Sequence, residues 1–148
     1  MTDDKNAPHF QIKAKRPDEW ADRSLTIFTK IDESGETDLE PNTVISRDSM
    51  TKEETFKLYS NRQVEALETD LPQFDLIKKR DGKIRGYPAI DIACRWMSPG
   101  GRIQQRLVFL SVGKGELITF AATAADDDFE NHTKMFNAVL GSIEVEGI

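Results

Sequence analysis

The chain has 148 residues, 38% of them hydrophobic and 31% charged, with a formal net charge of −6 and a pI near 5.0. That size supports one domain with a real core, and the acidic balance argues against a phosphate-backbone partner, so no nucleic acid is expected. A single cysteine, Cys94, excludes an internal disulfide and fits a reducing cytoplasm.

Met1 to Pro8 is polar, lacks the apolar run of a signal peptide and is expected to be disordered, leaving 9–148 as a single domain. His9 to Lys13 reads as a short strand. Ser24 to Lys30 is a better one, with Leu25 and Ile27 on one side and Thr26 and Phe28 on the other. Asp32 to Pro41 is acidic, contains Gly35 and reads as an exposed loop. Thr43 to Arg47 is the next strand.

A helix is expected from Thr51 to Leu71. Thr51 and Glu54 form a capping-box pattern, and Pro72 ends the helix. Phe56, Tyr59, Gln63, Ala66 and Leu67 recur at spacings of three and four and so share a face. Gln63 is the odd member. An amide on an apolar face is costly to bury unless its donors and acceptor are met. Either it is a core glutamine satisfied by nearby backbone, or it belongs to a site that grips another polypeptide. Periodicity does not choose between them.

After Pro72 the pattern changes to period two. Phe74 to Lys79 meets Asp81-Gly82, a strong hairpin signal, which makes Lys78-Lys79-Arg80 a solvated hairpin end. Tyr87 to Trp96 follows, with Ile90, Ile92, Cys94 and Trp96 on one face. Ser98-Pro99-Gly100-Gly101 is a turn. Ile103 to Val112 and Leu117 to Thr123 are joined by Gly113-Lys114-Gly115, completing an antiparallel meander. Leu117 to Ala125 is far too short to cross a bilayer, so no stable membrane insertion is expected. A last helix runs from about Asp127 to Leu140. Helices beside an antiparallel sheet make the chain α+β.

Catalytic chemistry is thinly represented. His9 and His132 stand in no known catalytic spacing to a serine or cysteine. Cys94 alternates inward between Ile92 and Trp96 and reads as a small core residue. Asp126-Asp127-Asp128 complements a helix dipole better than it ligates a metal. Gly113-Lys114-Gly115 lacks the following helix that a phosphate loop requires. No cofactor, metal or enzymatic activity is expected. The remaining candidates are apolar strand faces: Leu25 with Ile27, and Ile103 and Leu107 with Gln105 and Phe109. By default each is ordinary core.

Several stretches, in order, resemble a known family. They are Trp20-Ala-Asp-Arg-Ser24, Leu25-Thr-Ile27-Phe28 and Val44-Ile-Ser-Arg-Asp48. They continue with Phe56, Tyr59, Arg62-Gln63, Glu65, Glu68 and Leu71-Pro72-Gln-Phe74. Gly86-Tyr-Pro88-Ala89, Trp96 and the strand through Phe109 follow. This order is similar to that of the Eag (effector-associated gene) chaperones of bacterial type VI secretion, the SciW type in particular. The likeness covers roughly Trp20 to Thr123.

The resemblance implies a Mog1/PsbP-like sheet flanked by helices, a cytoplasmic homodimer and a concave apolar surface. That surface would hold the N-terminal transmembrane helices of an effector before loading on the secretion spike. By position, the implied client-binding residues are Leu25, Ile27, Val44, Gln63, Leu67, Leu71, Ile103 and Leu107. The family's second groove glutamine falls, by spacing from Trp96 to Phe109, on Leu107; Gln105, two residues earlier and on the same side, is the candidate replacement. The alternative is an adaptor of the same fold for a soluble partner, also without catalysis. Covering on the order of 1,000 Å² of a membrane helix would contribute roughly 25 kcal/mol before association costs. A groove glutamine would add direction by bonding polar side chains or exposed carbonyls of the client.

Overall fold

The computed structural model describes residues 14–19, 24–29 and 40–146. The expected strand at His9–Lys13, the expected disorder of residues 1–8 and most of the loop from Asp32 lie outside them. The strands are β1 (Leu25–Thr29), β2 (Asn42–Ser49), β3 (Asp75–Ile84), β4 (Tyr87–Ser98), β5 (Gly101–Gly113) and β6 (Glu116–Ala125). They form one six-stranded sheet in the order β1-β2-β6-β5-β4-β3, with every neighbouring pair antiparallel. Helix α1 (Phe56–Asp70) links β2 to β3, and α2 (Thr133–Gly141) follows β6 after a short 3₁₀ turn at Phe129–His132. The chain is a single α+β domain, as the element pattern predicts, and of the Mog1/PsbP-like type that the family resemblance implies.

Side-chain alternation gives the sheet two unlike faces. On one, Val108, Leu110, Phe120, Ala122 and Ala124 meet Phe129, Phe136 and Leu140 of the C-terminal helical segment. Arg106 fastens this side. It forks onto both Asp91 oxygens, at 3.1 and 2.7 Å, and reaches Asn137 Oδ1 on α2 at 2.5 Å. On the other face, Tyr59 and Val64 of α1 pack on Ile90, Ile92, Leu107, Phe109 and Leu117. Cys94 is fully buried as expected, and burial pushes its thiol up to about 11.

Three expected boundaries are corrected. First, α1 begins at Phe56, later than Thr51. Thr55 is its N-cap, and its hydroxyl accepts from Leu58 N at 3.2 Å. Thr51 and Glu54 instead close a separate turn ahead of the helix, with Glu54 N donating to Thr51 O at 3.1 Å. Leu71, with extended backbone, ends the helix just before Pro72, and Met97 N donates to Pro72 O at 2.9 Å, pinning the exit to β4.

Second, Asp81-Gly82 is not the hairpin. Both lie inside β3, opposite Ile90 and Ala89, and the chain turns at Arg85-Gly86, with φ of 54° and 84°. A two-residue turn at Asp81-Gly82 would set Arg80 against Lys83 and Lys78 against Arg85, like charge on like. The later turn also lets Ile84 and Tyr87 pack against the core under α2.

Third, the aspartates do not cap α2. Asp126 Oδ1 accepts from Arg95 at 2.6 Å, and its Oδ2 lies 3.5 Å from Arg102. Asp128 accepts from Asn131 and pairs with His132, both at 2.8 Å, inside the 3₁₀ turn. The Gly101 and Lys114-Gly115 turns stand where the sequence puts them.

Candidate functional site

Helix α1 spans only part of its sheet face. The register lays the face out in rows. Ile27, Val44, Ala121, Leu107 and Ile92 form one row; Leu25, Ser46, Thr119, Phe109 and Ile90 form the next; Asn42, Thr123, Gln105 and Cys94 form a third. Toward β4 these rows are covered by α1. Toward β1 they are open: Leu25 is 58% exposed and Ile27 56% exposed, and Val44 is half-buried.

Between the helix and the open side runs a cleft of about 330 Å³. Its walls include Ser46 and Asp48 of β2, Tyr59, Gln63 and Leu67 of α1, Gln105 and Leu107 of β5, and Thr119 of β6. Tyr59 closes one end of the cleft. Its ring is buried edge-on against Phe109, centroids 5.4 Å apart, and its hydroxyl donates to Asp48 Oδ2 at 2.7 Å. Burial first, then the Asp48 contact, drives the phenol well above its usual range. Arg62 lies over the same ring at 5.2 Å and forks onto Glu54, whose carboxyl that contact lowers.

The nine predicted site residues fall on this face unequally. Gln63, Leu67, Gln105 and Leu107 meet in the cleft. Leu25, Ile27 and Val44 extend its floor as open surface. Ile103 shares the face but is buried, and Leu71 sits half-buried at the C-cap of α1, so neither lines the cleft. Gln63 is half-buried, and its side chain makes no hydrogen bond to any described residue. It is therefore not the internally satisfied core amide that the sequence allowed. Gln105 does have a partner: its Nε2 donates to Thr123 Oγ1 at 3.1 Å.

The sequence reading missed Ser46, Asp48 and Thr119. Ser46 and Asp48 follow Val44 at intervals of two, so strand alternation was the available signal. Trp96, expected on the same face as Cys94, carries a buried Nε1 without a partner among the described residues. Among the described residues no three His, Cys, Asp or Glu side chains gather as a metal site, and no helix is long and apolar enough to cross a membrane.

Comparison with known proteins agrees with this architecture. The sequence model of the DcrB family matches residues 14–142. A Pseudomonas aeruginosa protein named Effector EagT6 is 37% identical over 111 residues, 75% of this chain and 76% of its own. The chain belongs to the DcrB family, in its Eag group. The crystal structure of PA94 from Pseudomonas aeruginosa, a protein of unknown function, superposes on this Eag protein with a TM-score of 0.76. The two are 27% identical over 90% of each chain. Cyanobacterial PsbP from Synechocystis gives 0.54 at 14% identity, covering 88% of this chain and 98% of its own. LpqN of Mycobacterium tuberculosis gives 0.58 at 13%, covering 84% and 85%. These last two share the fold alone.

Proposed function

We propose that this Eag protein is a cytoplasmic, non-catalytic chaperone of type VI secretion. It shields the N-terminal transmembrane helices of an effector before the effector is loaded on the spike. The observation that carries the reading is the half-covered sheet face, with Leu25 and Ile27 more than half exposed beside a cleft lined by Gln63, whose amide has no partner among the described residues. Exposed apolar side chains in such a cluster mark an interaction surface. A membrane helix needs an apolar wall with a few polar groups to fix its orientation, and this face supplies both.

The decisive experiment is co-expression with an effector fragment containing its membrane spans, followed by affinity capture. The fragment should stay in solution and co-purify with the wild-type chain, and Leu25→Asp should lose it while keeping the wild-type circular dichroism. Capture of only the effector's water-exposed portion, with membrane spans deleted, would instead establish the soluble-partner adaptor.

A further inference from the structure

The outer edge of β3 lies at the end of the sheet away from β1. β3 is ten residues long, about 34 Å of strand, and among the described residues only β4 pairs with it. Eight of its ten residues are exposed, so no element among the described residues covers it. A long bare edge invites strand addition, and proteins usually shorten, twist or cover such edges.

This edge is basic in an acidic molecule. Residues 75–85 hold five basic and two acidic side chains, a net of +3 in a chain whose total is −6. Lys79 bonds Asn61 and Arg85 bonds Gly141 O, but Lys78, Arg80 and Lys83 have no carboxylate partner among the described residues. The cross-strand neighbour of Arg80 is Asp91, which is already engaged by Arg106.

Gly82 adds an independent observation. It sits mid-strand opposite Ala89 without a positive φ, and a Cβ there would meet nothing within 4 Å. A strand glycine gives up stability relative to alanine, and nothing among the described residues requires one here. Such glycines recur where another backbone approaches closely. Leu76 and Ile77, exposed at the bulged start of the strand, supply apolar contact next to the charges.

We infer that the β3 edge accepts an extended acidic segment of a partner protein by strand addition, its main chain pairing with β3 and its carboxylates meeting Lys78 and Arg80, which share one face of the strand. A second copy of this chain fits poorly, because antiparallel β3–β3 pairing would bring the basic run against itself. Main-chain bonds would supply affinity, and the charges would select the partner.

The probe is a capped nine-residue peptide of alternating glutamate and threonine, titrated into the isotope-labelled full chain at low salt. Shift changes should concentrate on β3, and hydrogen exchange of alternate β3 amides should slow severalfold. Raising the salt to 0.3 M should weaken binding at least tenfold. Lys78→Glu with Arg80→Glu should do the same without lowering the melting temperature, whereas Lys83→Glu, on the opposite face of the strand, should weaken binding less. A twin peptide N-methylated on its pairing edge should not bind. Equal binding of the methylated twin would reduce the effect to charge alone and overturn the inference. So would shifts confined to other strands, no binding at millimolar peptide, or association of the chain with itself through β3.

Discussion

Gln63 illustrates how much one side chain's surroundings decide. Its amide has no partner among the described residues, so removing it breaks no internal bond. Gln63→Ala should leave the melting temperature within about a degree of wild type and weaken client capture by about 1–2 kcal/mol, the usual loss for one or two hydrogen bonds in a desolvated site. Thermal melting and capture on the same preparation test both halves, and lost stability with full capture would reverse the assignment. Cys94 gives a second residue-scale test. Its folded thiol titrates near 11, against an ordinary value of 9.0. Between those values the unfolded chain ionises first, so this group's contribution to stability is complete below about pH 9 and is lost as pH rises toward 11. Cys94→Ala should flatten that part of the pH–stability curve measured by denaturant melts.

The stripe containing Gln63 was legible because spacing survives folding. Its exact centre was not. Ser60 and Val64 are buried while Ala66 is exposed. Ser60 stands outside the predicted stripe, yet its hydroxyl donates to Lys57 O at 2.8 Å and so enters the interior already satisfied.

At the scale of elements, the β3–β4 hairpin makes a clear test. Gly86 sits at φ 84° in the turn, whereas Gly82 lies in extended strand with open space around it. Gly86→Ala should destabilise by about 1 kcal/mol. Gly82→Ala should be neutral or stabilise by a few tenths. The opposite ranking in urea melts would restore the turn to Asp81-Gly82. Local turn chemistry favoured that earlier site, and only the charges brought opposite each other and the packing of Ile84 and Tyr87 select the later one. Those are cross-strand facts that a linear scan does not contain. The same holds for Asp126, whose partners Arg95 and Arg102 lie on β4 and β5. Edge strand β1 carries the complementary test. Ile27→Asp should preserve the fold, because its side chain is already in water, and should abolish client capture.

For the whole molecule, the sheet's two faces divide the work. The α2 side is filled and fastened by Arg106, and among the described residues the α1 side is left partly without a second layer. Strand alternation told which residues share a face. It did not tell which face a helix would cover, since an open apolar row and a buried one have the same period. That is why Ile103, buried, and Ile27, exposed, read alike. The open side also motivates a homodimer, for which light scattering should give twice 16.8 kDa across micromolar concentrations.

A half-roofed sheet also has a calorimetric signature. Apolar surface that folding leaves wet keeps its hydration heat capacity until a client dries it. If about 1,000 Å² is dried on binding, the heat capacity change is about −0.45 kcal/mol/K. The binding enthalpy should then become more exothermic by about 4.5 kcal/mol for each ten-degree rise. The free chain, in turn, should unfold with a smaller heat capacity increment than its length predicts, because part of its hydrophobic layer arrives with the client.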